Sequence, residues 1–201
     1  MKKLIVVTSP HFLPLEEELI VATLDAGAHY VHIRKPHAAT NEVERLLCSI
    51  PQEYHSRIAL HEAHTLAQRY AIGGIHLNSR NPQVPSWWSG RVSCSCHSID
   101  EVLTYKEHCD YIFLSPIHNS ISKVGYNTPF THSQLIEARD RGVIDHRVIA
   151  LGGITTDNIA YTMQYGFGGI GVMGHLWNSL TKNNLKDIIK QLKDRLLCCN
   201  S

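Results

Sequence analysis

The sequence predicts a (β/α)₈ TIM barrel, built as a single domain over residues 1–201. Three observations carry this. Eight short apolar, β-branched runs recur along the chain, amphipathic stretches with apolar residues at helical spacing lie between them, and Gly27, Gly73 and Gly166 each fall where a helix should end and a strand begin. Strands that alternate with helices need crossover connections and therefore pair in parallel. Eight repeats of roughly 25 residues suit a closed barrel better than an open sheet, which more often has about five or six strands.

Taken in order, the strands are expected at Leu4–Thr8, Tyr30–Arg34, Arg57–Leu60, Gly74–Leu77, Arg91–Cys96, Tyr111–Ser115, Val148–Leu151 and Gly169–Met173. Helical faces are read from Leu15, Leu19, Ile20 and Thr23, from Val43, Leu46 and Leu47, and from Ile99, Val102 and Leu103. Thr40 ahead of Glu42–Glu44, Ser98 with Glu101 three residues on, and Thr155 or Thr156 ahead of Asp157 are the expected N-caps. The three interelement glycines are expected as left-handed residues closing helices. The least regular stretches, Asn78–Gly90 and Pro116–Phe130, both follow a strand. In a parallel barrel they hang over the C-terminal rim, where active sites form.

Composition narrows the classes of function. With 43% hydrophobic and 18% charged residues the chain is too apolar for disorder, and a formal charge of +1 gives no field that would draw in nucleic acid or an anionic membrane. No apolar run approaches the roughly 18 residues of a membrane span. The N-terminus runs from Met1-Lys2-Lys3 straight into a strand that Ser9-Pro10-His11 breaks, unlike a signal peptide, so a cytoplasmic location is expected. The six cysteines have neither zinc-site spacing nor a disulfide framework and read as free thiols. Fourteen histidines are scattered without a metal-binding motif, and oligomeric state is not legible.

Four groups of residues could carry chemistry. Gly152-Gly153, with the Gly171–Gly174 segment, stands at the ends of the seventh and eighth strands, where barrels commonly hold a phosphate on backbone N–H groups that glycine leaves accessible; the same glycines could simply permit tight turns. The loop Ser115–Gly125, with Ser120, Ser122 and Lys123, suits a lid over a phosphorylated ligand or an ordinary solvated loop. At the end of the second strand, alternation puts His32 and Arg34 on one face, and Arg34 would meet either a ligand anion or Glu62. Finally, His61-Glu62 and His76 offer a carboxylate for Mg²⁺ or base chemistry and two histidines, His76 fitting best as a hydrogen-bonded core residue.

The ordered strand ends resemble the thiamine phosphate synthase and thiazole tautomerase (TenI) family. The likeness rests on His32-Ile33-Arg34-Lys35, Gly74-Ile75-His76-Leu77, Ser95-Cys96-His97-Ser98 with Glu101, Tyr111 through Ser115-Pro116-Ile117, Ser120-x-Ser122-Lys123 and Ala150-Leu151-Gly152-Gly153-Ile154, and covers the whole chain. It implies an enzyme of thiamine biosynthesis whose partner is a phosphorylated thiazole. That phosphate would lie on Gly152, Gly153 and the backbone at Met173 and Gly174, with Ser120, Ser122 and Lys123 in the lid. Arg34 and Ser95 would face a pyrimidine diphosphate, whose pyrophosphate leaves with the help of Mg²⁺ in the synthases.

The departures from the family pattern fall on one half of the site. Where synthases carry glutamine, this chain has His32; where they carry a second basic residue, it has Pro36, and Lys35, one position off, is expected to point elsewhere. Their asparagine-aspartate pair is His61-Glu62, and their second metal aspartate aligns with Asn81. The altered half is the one that holds metal and diphosphate, which leans the reading toward the tautomerase branch, whose proton transfer needs neither. That branch's histidine aligns with Pro116, leaving His118, His32 or Glu62 as the candidate base. A divergent synthase with Mg²⁺ on Glu62, or a non-catalytic thiazole phosphate binding protein, are the alternatives.

Overall fold

A computed structural model describes residues 1–118, 130–173, 177 and 184–200. Eight strands close into a parallel barrel: β1 (Lys3–Val7), β2 (Tyr30–Ile33), β3 (Ile58–Leu60), β4 (Gly74–Leu77), β5 (Arg91–Cys96), β6 (Tyr111–Leu114), β7 (Val148–Leu151) and β8 (Gly169–Val172). Each pairs with its neighbour in sequence, and β8 returns to β1 through the partners Lys3–Gly169 to Val6–Val172. The helices outside it are α1 (Glu16–Asp25), α2 (Thr40–Ser49), α3 (Thr65–Arg69), α4 (Ile99–Tyr105), α5 (His132–Asp140), α6 (Ile159–Met163) and α7 (Leu185–Leu197). Between β4 and β5 the described chain forms no helix, as the irregular Asn78–Gly90 stretch suggests. No described helix is long and apolar enough to cross a membrane.

Local signals explain most boundaries. Ser98 caps α4 by accepting the Glu101 N–H at 3.1 Å, while the Glu101 carboxylate accepts the His97 N–H. Two expected caps shift. Thr40 is already inside α2, and Glu42 instead accepts the N–H of Ala39 at 2.8 Å. Asn158, rather than Thr155 or Thr156, organises the entry to α6, accepting the Thr155 N–H and donating to the Gly153 carbonyl. Gly27 and Gly166 adopt the expected positive φ, 110° and 79°, but at the third position the left-handed residue is Ala71 (φ 51°). Gly73 is needed for a different reason: a Cβ there would sit 2.0 Å from the Ser56 carbonyl oxygen.

Two apolar clusters result. The larger fills the space between sheet and helices; the smaller lies inside the barrel and comprises Ile5, Val7, Tyr111, Phe113 and Ile149. Gly171 belongs to this inner packing, since a Cβ on it would press on Leu151 and Phe113 at 3.0 and 3.2 Å. One end of the interior is stacked shut by Tyr30 on Tyr111, with the Arg91 guanidinium 4.1 Å over the Tyr30 ring. Above Tyr30 the apolar filling lies on the β1, β6 and β7 side. Facing it, β2 to β5 contribute His32, His61, His76 and Ser93, all buried.

Candidate active site

The rim at the C-terminal ends of the strands has two walls of different chemistry. The first is built by β6 and β7. After β7, Gly152 and Gly153 take successive positive φ values of 93° and 64°. A Cβ on Gly152 would lie 2.8 Å from the Cα of Pro116, so the residue is required both for its dihedral and for close approach of the neighbouring loop. That loop leaves β6 through a cis Ser115–Pro116 bond and runs along the β7 end, with Ile117 donating to the Leu151 carbonyl and His118 to the Gly152 carbonyl.

His118 is thereby fixed beside the glycine turn. Its Nε2 lies 2.7 Å from Thr162 Oγ1, and that hydroxyl donates to the Asn158 carbonyl, so it accepts the imidazole proton. The Nε2–H tautomer leaves the lone pair on Nδ1. Burial lowers the His118 pKa, which keeps the ring neutral at neutral pH. Met173 follows β8 directly and is exposed. Ser120, Ser122, Lys123 and Gly174 lie outside the described residues.

The second wall is built by β2 to β5. Arg34 has its backbone N–H held by Thr8 Oγ1, and its charge acts on His61 and His76. It makes no ion pair with Glu62, one of the two partners its position allows. Glu62 instead pairs with Arg80, and its second oxygen accepts the Lys35 N–H at 2.9 Å. The Lys35 side chain points out of the barrel interior, as its register predicts: Nζ meets Glu16 at 2.6 Å and the carbonyls of Ser9 and His11. Asn81 turns its amide onto the His61 carbonyl alongside Asn78.

Beneath this wall, His32 Nδ1 is 3.0 Å from His61 Nε2, and His32 Nε2 is 2.6 Å from the Tyr111 hydroxyl. His76 stacks on His61 with ring centroids 4.0 Å apart and bonds Ser93 and Ser95 through its two nitrogens at 2.8 and 2.9 Å. His76 is therefore the hydrogen-bonded core histidine expected of it, and Ser95 lies against it. Burial, reinforced by the Arg91 charge, takes His32 to about 3. Burial, with the neighbouring histidines and Arg34 opposing a further positive charge, likewise holds His61 and His76 well below the ordinary histidine value.

Against this geometry, the chain matches the family described as thiamine monophosphate synthase over residues 4–176. The chain belongs to that family. The crystal structure of thiamine phosphate pyrophosphorylase from Bacteroides thetaiotaomicron superposes with a TM-score of 0.89 at 40% identity, covering 99% of both chains. Thiamine-phosphate synthase of Staphylococcus saprophyticus is 26% identical over 157 residues, spanning 75% of this chain and 71% of its own. A thiamine-phosphate synthase of Bacteroides thetaiotaomicron is 20% identical over 169 residues, 78% of this chain and 81% of its own. Membership places the protein among the enzymes of thiamine biosynthesis.

Members of the thiamine phosphate synthase family typically use Mg²⁺, a hard cation that takes oxygen ligands in near-octahedral geometry. The residues aligned with its ligands do not fit it. Glu62 has both oxygens engaged, by Arg80 and by the Lys35 N–H, and Asn81, its nitrogen held by the His61 carbonyl, offers only a neutral amide oxygen where the aligned residue is a carboxylate. Sequence reasoning missed Thr162, which orients His118, and gave no role to Tyr111 and Ser93, which hold His32 and His76. Tyr111 and Ser93 were legible as inward positions of strands; Thr162, on a short helix, gave no signal of its own.

Proposed function

We propose that the protein binds a thiazole phosphate on the Gly152–Gly153 turn and catalyses a TenI-like tautomerisation, with His118 as the general base. The observation that carries this reading is the placement of His118. Its backbone is bonded to Gly152, its Nε2–H is committed to Thr162, and the Nδ1 lone pair of a neutral ring remains to accept a proton beside the phosphate turn. The reaction needs one C–H proton removed from the ring system and one returned at another carbon as the ring becomes aromatic, with no change in composition. No leaving group departs, so no diphosphate-binding cation is required.

Two Bacteroides relatives bear on the choice of reaction. One organism holds two relatives, and this chain is about twice as identical to one as to the other. The names of both favour the alternative, a divergent synthase that couples a pyrimidine diphosphate to the thiazole phosphate with Mg²⁺; the occupied Glu62 and the amide at Asn81 stand against it.

Substitution of His118 tests the assignment. His118→Asn is expected to lower kcat by about 10²–10⁴ while leaving thiazole phosphate binding, followed calorimetrically, within a few-fold of the parent. Unchanged turnover in the variant would remove His118 as the base, and tight binding without turnover by the parent protein would make the chain a carrier.

A further inference from the structure

The histidines of the second wall converge in a way that neither a synthase nor a tautomerase site requires. One nitrogen from each of His32, His61 and His76 lies within 4.8 Å of the others. They come from β2, the end of β3 and β4, and all three are buried. Among the described residues no other group of three histidine, cysteine or acidic side chains is gathered so closely.

We propose that these three imidazoles form a binding site for a borderline divalent transition metal such as Zn²⁺ or Co²⁺, with a fourth position open to water or an anion at the rim. Three histidines are a ligand set such cations accept, whereas Mg²⁺ and Ca²⁺ want oxygen. With metal–nitrogen bonds of about 2.0–2.1 Å, tetrahedral ligand nitrogens stand roughly 3.3 Å apart. The His32–His61 pair, now at 3.0 Å, needs to open by only a few tenths of an ångström.

Two of the three outer nitrogens are already organised as a metal site demands. His32 can donate Nε2–H to Tyr111 and present Nδ1; His76 can donate Nδ1–H to Ser93, whose hydroxyl passes the bond to the Ile75 carbonyl, and present Nε2 once that nitrogen leaves Ser95. His61 then moves its proton from Nε2 to Nδ1, so metal entry releases no proton. His64 packs against the backbone of His61 and His76, with a buried Nε2 that has no hydrogen-bond partner.

The site does not depend on the tautomerase reading, and its test does not use turnover. Full-length protein stripped with a chelator, then freed of it, is titrated with Co²⁺ and followed by visible d–d absorption, and the Zn²⁺ retained after dialysis is counted by mass spectrometry. One equivalent per chain is expected, with the intense absorption of tetrahedral Co²⁺ and no displacement by excess Mg²⁺. His61→Asn and His32→Gln, each checked for native circular dichroism, should abolish the spectrum, and Tyr111→Phe should weaken binding about 10–100-fold through loss of the hydrogen bond behind His32. Absence of a tetrahedral spectrum in the parent protein would overturn the proposal, as would a spectrum that survives in either folded histidine variant.

Discussion

Lys35 Nζ lies 2.6 Å from Glu16 Oε1, with both side chains almost wholly withdrawn from solvent. Burial works against both charges, lowering the Lys35 pKa and raising that of Glu16, and their mutual contact offsets it. The ammonium also takes the Ser9 and His11 carbonyls, so the pair ties the loop after β1 to the start of α1. The register that turns Lys35 out of the barrel interior to this contact is what withholds it from the site. Lys35→Met is expected to cost about 3–5 kcal/mol in urea denaturation, because an unpaired carboxylate is left buried. A loss under 1 kcal/mol would show that the pair is not the tie it looks to be.

The glycine turn should respond to substitution according to its surroundings. Gly152→Ala combines a positive φ with a Cβ 2.8 Å from Pro116, while Gly142 has φ 70° and nothing within 4 Å of its would-be Cβ. Gly142→Ala is expected to cost only the dihedral term, about 1–2 kcal/mol. Gly152→Ala should cost more and also weaken binding of a phosphate ligand. Calorimetry with the thiazole phosphate separates the two; equal affinity in the Gly152 variant would move the phosphate elsewhere.

A pH dependence follows from Asp145. Burial works to raise its pKa, but the Lys106 hydrogen bond and charge, with the Arg147 backbone N–H, hold it below the ordinary value. A depressed folded-state pKa gives stability that is complete above the unfolded value of about 3.9 and is lost as pH falls through the folded value. Asp145→Asn should therefore be less stable than the parent at neutral pH, with the gap closing below about pH 4. A gap that stays constant into acid would assign the effect to packing.

The acid limb of turnover should report His118. Because burial lowers its pKa, activity should rise with pH to a plateau whose midpoint lies below the free histidine value of about 6.5. Thr162→Val removes the hydroxyl that fixes the Nε2–H tautomer. It should reduce kcat more than KM. An unaltered profile in that variant would detach the threonine from the chemistry.

The barrel was legible because its signals are local. The bounds of β4, β5 and β7 follow from apolar runs that end where glycine, proline or polar residues begin, and Ser98 with Glu101 marks α4 through a bond three residues long. Gly73 was read as a helix stop, yet it serves a contact with Ser56, seventeen positions away, that no local pattern encodes. The site divides the same way. Gly152 and Gly153 stand out as neighbours in sequence, whereas the pairing of Glu62 with Arg80 rather than Arg34, and the meeting of His32, His61 and His76, depend on how barrel closure sets the strand ends against one another. Alternation flagged His32, and a place inside a strand flagged His76; only register brings them together.

The most direct test is a single assay with the purified protein and its two possible sets of substrates. The account predicts that carboxythiazole phosphate is converted to its aromatic tautomer, followed by NMR, with Mg²⁺ omitted and no pyrimidine present. Formation of thiamine phosphate from the thiazole phosphate and pyrimidine diphosphate, strictly dependent on added Mg²⁺ and without tautomerisation in its absence, would contradict it.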